Sequence, residues 1–373
     1  MLPLTERMLA RMAKDQEELG PVGIVLVQHL LADTEEFIRL LQGSGLEVVK
    51  VVGIEYSARN DVVEQLRSAG LDVAVPPFAE MERVLQEFFL TGLSGNQSTR
   101  IVLQEVGGYC ADLLESLVGK FGDGGFAGIV EETKQGLWRY RKLPFVPIPV
   151  MEIADSFLKG LEAGYVGEAV ARAVETDLLE VGSTLWGAGA VVFGFGEIGS
   201  AAANALRIRG GIVSCFDPDS LKLIDARTRG FRSPSRQSLL RHADVIVGAS
   251  GKRSLSREDL EQLRDCVMLA SASSKDIEFP VDVVRGLATS RQQLTPFVSE
   301  YSMPWGKRIR IASEGYPINF RGFSLPHFMS DLLFAQITAS MHLLLTAQPA
   351  PGLQSLSAEI LTTIASEWLD VYR

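Results

Sequence analysis

Short apolar runs alternate with amphipathic stretches along most of this chain. Runs at 24–27, 48–54, 73–75 and 101–103 are separated by helix-period stretches around 33–42, 60–68, 80–90 and 111–120. The rhythm resumes with runs at 190–193, 212–216, 243–247 and 266–270. Strand and helix repeated in this way build parallel sheets with helices on both faces, so the pattern predicts an α/β protein with two doubly wound, Rossmann-like domains. Residues 93–98 (LSGNQS) read as a loop, and Pro144, Pro147 and Pro149 punctuate the end of the first region. A helix from Asp155 to about Val181 leads into the second region. After Phe323 come an apolar helix (328–345), a Pro/Gly/Ser linker and a last amphipathic helix near 358–372. The expected boundaries are 1–182 for a substrate domain, 183–319 for a dinucleotide domain, 320–345 for a helix returning to the first, and 346–373 for a tail.

The run at 190–193 feeds directly into Gly194-Phe195-Gly196-Glu197-Ile198-Gly199, and the next run ends at Asp217. A G-x-G-x-x-G between strand and helix, with a carboxylate about 20 residues on, is the pattern of a dinucleotide site. Gly194 makes the tight turn, Gly196 lets the backbone approach a pyrophosphate, and Gly199 brings helix against strand. The pyrophosphate would sit on the unpaired amides of the helix N-terminus. Asp217 would accept from the adenosine ribose hydroxyls and repel a 2′-phosphate, which selects NAD over NADP. Two later strands end in small residues, Ser250-Gly251 and Ser273-Ser274, which are expected to line the cofactor cleft.

Composition narrows the class. A net charge of −10 and a pI near 5.1 argue against nucleic acid or an anionic membrane as partner. The first residues lack a signal-peptide core, and no apolar run is read as approaching the ~20 residues of a membrane span. Cys110, Cys215 and Cys266 are odd in number and far apart, which fits reduced cytoplasmic thiols and neither a disulfide frame nor a metal site.

Several segments, in order, resemble the S-adenosylhomocysteine hydrolase family. The segment 128–136 (GIVEETKQG) is similar to that family's G-I-S-E-E-T-T-T-G, which implies a substrate-ribose contact for Glu132 and an NAD contact for Thr133. The segment 155–159 (DSFLK) resembles D-S-V-T-K, which implies that Lys159 helps deprotonate the ribose 3′-hydroxyl. The segment 28–34 (QHLLADT) is similar to L-H-M-T-V-E-T and places His29 on an active-site histidine and Asp33 on an adenine-recognising acid. The segment 314–319 (EGYPIN) resembles E-G-R-L-V-N, implying that Asn319 holds the nicotinamide carboxamide, and 335–337 matches A-Q-I. The resemblance implies a nucleoside substrate, 3′-oxidation by bound NAD, elimination at C5′, addition of water, and a homo-oligomer, dimer or tetramer. An exposed apolar helix at 328–345 would also favour association.

The departures are equally specific. The family's catalytic I-G-H-F-D becomes 272–276 (ASSKD), so its histidine falls on Ser274. The aspartate after the catalytic lysine falls on Ala163, beside Glu162, and the acids before Gly-Gly become Glu105-Val106. The G-H-P is absent, and His327 after Pro326 stands nearby. Glu105, Glu162 and His327 therefore join His29, Asp33, Glu132 and Lys159 as the expected substrate-binding set. Two readings follow: an enzyme acting through 3′-oxidation, with hydrolysis weakened by Ser274, or a catalytically impaired NAD-binding relative acting as sensor or partner subunit.

Overall fold

The computed structural model describes residues 1–14, 20–92 and 100–373, so the loop expected at 93–98 lies outside the described residues. The chain divides into two compact units, residues 1–161 with 326–373, and residues 162–325. Each is built on a seven-stranded sheet.

The first unit contains β1 (Val22–Gln28), β2 (Glu47–Gly53), β3 (Val73–Ala74), β4 (Arg100–Glu105), β5 (Phe126–Glu131) and β6 (Pro149–Glu152). Their order is β6-β5-β4-β1-β2-β3, all parallel, and the late strand Gly352–Ser355 adds beside β6. Every residue of β1 is buried, as a strand covered on both faces requires. One face packs Val25, Val27 and Leu103 against Met81, Leu85 and Phe89. The other meets the helix His327–Thr346 so closely that a Cβ on Gly128 would lie 2.6 Å from Leu344 Cδ2. Strand order reverses between β1 and β4, and ligands of such sheets bind beyond the carboxyl ends at that point. Strands β5 and β6 did not stand out as apolar runs, because Gly128 and the prolines interrupt them. The expected linker also hides the strand Gly352–Ser355.

The second unit contains β7 (Gly189–Phe193), β8 (Ile212–Phe216), β9 (Val245–Gly248), β10 (Val267–Ser271), β11 (Ser290–Gln293), β12 (Val298–Ser302) and β13 (Arg308–Ala312). The order is β8-β7-β9-β10-β13-β12-β11, parallel from β8 to β13 and antiparallel beyond. Its switch point lies between β7 and β9.

Two expectations about organisation change. The helix expected at 155–181 is broken into Phe157–Gly160 and Ala163–Glu180, and the unit boundary falls at the break, at 161/162 and not 182/183. The longer piece packs on the helix Glu197–Ile208, where a Cβ on Gly167 would stand 2.5 Å from Ala202 N. Arg209 clamps the same pair through Glu168 and Glu175. The return falls at 325/326 and not 319/320, because Arg321 reaches back to Asp177 of that long helix.

The helix His327–Thr346, with 20 residues, is after all long and apolar enough to span a membrane by length and composition, but 83% of that window is buried inside the protein. The argument for association from an exposed apolar helix therefore does not hold. Buried Asp331 on this helix accepts from Leu4 N and Thr5 N at 2.8 Å and from Tyr372 Oη at 2.7 Å, so both ends of the chain are tied to it.

Candidate active site

The carboxyl edge of the first sheet gathers the groups that matter. β1 ends at buried Gln28, whose Nε2 donates to Glu132 Oε1 at 3.1 Å while its Oε1 accepts from His29 N at 2.8 Å. One carboxamide thus joins Glu132 to the backbone of His29. The His29 ring lies with Nδ1 2.6 Å from Ser57 Oγ and its centroid 5.9 Å from that of Tyr56. Burial, and then the neighbouring Lys159 ammonium, push the His29 pKa down to about 3, so the imidazole is neutral through the physiological range.

Lys159 sits on the short helix Phe157–Gly160, and the residues before it are fixed from two sides. Asp155 pairs with Lys134 at 2.8 Å and Arg141 at 2.7 Å. Ser156 Oγ donates to Gln336 Oε1 at 2.6 Å, and that glutamine is fully buried in the helix His327–Thr346. Asp33, in the first turn of the helix Ala32–Gly43, pairs through Oδ1 with His327 Nδ1, and Thr34 Oγ1 donates to His29 O at 2.7 Å. His29, Glu132, Lys159, Asp33 and His327 are therefore brought to one edge of one sheet.

The structure gives other expected residues different work. Glu105 is fully buried, bonded by Tyr140 Oη and by Cys110 N at 3.3 Å, and burial raises its pKa. Adjacent Glu131 accepts from Gly107 N (3.1 Å), Gly108 N (2.8 Å) and Thr133 N (2.7 Å), and burial followed by the Glu105 charge pushes it up to about 8. Thr133 donates its hydroxyl to Glu131 and accepts from Gly136 N at 3.0 Å, capping the helix Lys134–Lys142. Glu105 and Thr133 thus build a buried anchor, not the ligand edge. The cause is strand alternation, which turns Glu131 to the opposite face from Glu132. Glu162 belongs to the second unit, at the N-cap of the helix Ala163–Glu180.

In the second unit the glycine loop has the expected form. Gly194 has φ +93°, and a Cβ there would meet Ala249 O at 2.5 Å. On Gly199 a Cβ would lie 2.0 Å from Gly194 O, whereas Gly196 has no atom within 4 Å of its Cβ position. Gly194 and Gly199 are demanded by packing and Gly196 by nothing in the protein, which leaves the open side of Gly196 to a ligand at the N-terminus of the helix Glu197–Ile208. Glu197 on that first turn is exposed, and Ile198 packs on the core. Asp217 is buried beyond the end of β8, accepting from Phe195 N at 2.7 Å and Asp219 N at 2.9 Å, and each oxygen keeps a second lone pair for a ribose hydroxyl. Asn319 is 6% exposed. An open glycine, a buried carboxylate and a buried amide fit a nicotinamide dinucleotide.

The small residues expected beside the cofactor instead surround Glu278, which sequence reasoning missed. Its carboxylate accepts from Ser250 N (2.7 Å), Ser250 Oγ (2.8 Å) and Gly251 N (2.8 Å), and from the hydroxyls of Ser254 and Ser273. Burial raises its pKa against those hydrogen bonds. Ser250, Gly251 and Ser273 therefore hold an internal carboxylate. The one local sign is Gly248, where a Cβ would come within 2.7 Å of Glu278 Cβ.

Known proteins resemble this chain over most of its length. Residues 169–323 match the model of the S-adenosyl-L-homocysteine hydrolase NAD binding domain. An adenosylhomocysteinase of Thermotoga maritima is 27% identical over 99% of this chain and 91% of its own length. Another from Thermococcus kodakarensis is 26% identical over 88% of this chain and 78% of its own. An S-inosyl-L-homocysteine hydrolase of Methanothermobacter thermautotrophicus is 26% identical over 66% of this chain and 60% of its own. The cofactor is NAD, and the chain is similar along nearly its whole length to S-adenosylhomocysteine hydrolases.

Proposed function

We propose that this chain cleaves the 5′-thioether of a purine nucleoside, S-adenosylhomocysteine or its inosyl counterpart, through transient oxidation at the ribose C3′. Bound NAD supplies the redox chemistry, and the residues of the first unit supply binding and proton transfer. The observation that carries the reading is the joining of Glu132, His29 and Lys159 around Gln28 at the switch point of the first sheet. In this reading Glu132 accepts from ribose hydroxyls, and Lys159 takes the 3′-hydroxyl proton. Neutral His29 exchanges a proton on the 5′ side. Asp33, held by His327, faces the base and distinguishes a 6-amino from a 6-oxo purine. Asp217, Gly194, Gly196 and Gly199 hold the cofactor, with Asn319 at its nicotinamide end.

Ser274 in the family histidine's place supports slow hydrolysis relative to oxidation. The silent-sensor alternative has less support, because a protein relieved of catalysis has no need to hold neutral His29 beside Lys159. Three cysteines without disulfides support the cytoplasm, and the family resemblance supports a homo-oligomer, which light scattering tests. The function itself is tested by incubating the NAD-loaded protein with S-adenosylhomocysteine and S-inosylhomocysteine and quantifying free homocysteine. Release from neither, with NAD bound, would refute it.

A further inference from the structure

Between the end of β13 at Ala312 and the buried Asn319, the chain turns through three successive residues of positive φ. Ser313 has φ +44°, Glu314 +53° and Gly315 +90°. At Gly315 a Cβ would also lie 2.6 Å from Val281 Cγ2. Ser313 and Glu314 carry a Cβ, so the left-handed backbone costs energy at both and persists only where the surroundings impose it. Glu314 supplies that constraint. Its carboxylate accepts from Arg291 Nη2 at 3.0 Å and Tyr301 Oη at 2.9 Å, and from Arg285 and the Ser299 hydroxyl. Burial alone would raise its pKa, but hydrogen bonds led by those of Ser299 and Arg285 lower it to about 2, so it stays ionised. The donors come from three elements, with Arg285 on the helix Val281–Leu287, Arg291 on β11, and Ser299 and Tyr301 on β12. The exposed edge strand β11 thus brings a cation to the turn. Ser313 is held separately, its Oγ accepting from Arg321 Nε at 2.8 Å.

We propose that Glu314 is a positioning residue, which locks this turn and thereby sets how Asn319 meets the nicotinamide end of the cofactor. The inference rests on the reading that Asn319 lies at that end. The path of the chain explains the effect. Ala312 is fixed in the sheet opposite Val298, and Pro317 pairs with Ser271 at the end of β10, two residues before Asn319. The pairing at Pro317 is a single bridge, so it cannot hold the segment by itself. Without the carboxylate, Ser313 and Glu314 relax toward ordinary φ and displace the segment that carries Asn319. Glu314 acts through the backbone and needs no contact of its own with the cofactor.

ADP-ribose, which has every part of NAD except the nicotinamide, separates this role from a general loss of structure. Calorimetric titration of the cofactor-free full chain with NAD and with ADP-ribose gives the ratio of the two affinities. Asn319→Ala should weaken NAD by roughly tenfold, as expected for a lost hydrogen bond to a buried polar group, and leave ADP-ribose unchanged. Glu314→Gln should weaken NAD by roughly three- to tenfold, again with ADP-ribose unchanged. The two substitutions together should weaken NAD no further than Asn319→Ala alone, because they act on one contact. If Glu314→Gln does not fold, Arg291→Gln with Tyr301→Phe removes two of the donors and should shift the ratio in the same direction. Equal weakening of NAD and ADP-ribose would make Glu314 purely structural and overturn the proposal. An unchanged ratio in a folded variant, or additive losses in the double variant, would overturn it too. If Asn319→Ala leaves the ratio unchanged, the reading of Asn319 fails and the proposal with it. A shift in Asn319→Ala without one in Glu314→Gln overturns the proposal alone.

Discussion

Asp33 and His327 stand 294 residues apart in sequence and are hydrogen-bonded side chain to side chain at the edge of the first sheet. Asp33 opens the helix Ala32–Gly43 and His327 opens the helix His327–Thr346, so two helix N-termini share one carboxylate. A carboxylate accepts from a 6-amino purine and repels a 6-oxo purine, whereas a carboxamide can donate to the oxo group. Asp33→Asn should therefore shift the ratio of affinities for the adenosyl and inosyl thioethers by about tenfold toward the inosyl. Calorimetric titration with both ligands measures the ratio, and an unchanged ratio would remove Asp33 from the base-reading role.

The three glycines of the loop predict two different failures. Gly196→Ala meets no protein atom within 4 Å, so the protein should keep its melting temperature in the absence of cofactor and lose NAD affinity. Gly194→Ala forces a side chain to φ +93° and against Ala249 O, which should destabilise the second unit by about 1–3 kcal/mol. Gly199→Ala should do likewise through Gly194 O. Asp217→Ala should narrow the preference for NAD over NADP. Differential scanning calorimetry with and without cofactor separates these effects, and a stability loss in Gly196→Ala would mean that its open side is not a ligand face.

How much of this was legible in the sequence depends on the range of each signal. The glycine loop and Asp217 are a local pattern, and their geometry follows from it. His29, Glu132 and Lys159 were legible through segments whose neighbours matched in order. Gln28 and Ser57, which join and orient them, carry no signal of their own, since a glutamine ending a strand and a serine after one are common. Thr133, Ser250 and Ser273 had the right residue type, but their hydroxyls are claimed by Glu131 and Glu278. Such claims arise from strand register, which pairs Glu105 with Glu131 and brings Ser271 beside Gly248. Strand β11 was missed because it is exposed throughout and has no apolar face to detect.

The buried pair Glu105 and Glu131 sets a pH dependence of stability. Glu131 titrates near 8 in the folded protein and near the ordinary carboxyl value when unfolded, so the native state binds the extra proton between about pH 4.5 and 8. Stability contributed there is present at low pH and lost as pH rises through that window. Glu105→Gln removes the neighbouring charge and should flatten the slope. Melting temperatures at half-unit pH intervals test this, and equal slopes in the two proteins would contradict it.

His29 acts in the opposite direction. Its folded pKa of about 3 lies below the unfolded value near 6.5, so stability from keeping it neutral is lost as pH falls through that interval. Exchange at C4′ or C5′ should accordingly show no acid limb from His29 between pH 5 and 7. An acid limb near 6.5 that disappears in His29→Gln would show the ring to be solvated.

The central claim is that Lys159 at this edge takes the ribose 3′-hydroxyl proton while bound NAD is reduced. Stopped-flow absorbance in the NADH band, on NAD-loaded protein mixed with S-adenosylhomocysteine or its inosyl counterpart, tests it most directly. The account predicts a rise in that band with the wild type, and none with Lys159→Met even though the variant retains NAD. A rise of equal size and rate in Lys159→Met, or a flat trace from the NAD-bound wild type with both nucleosides, would contradict it.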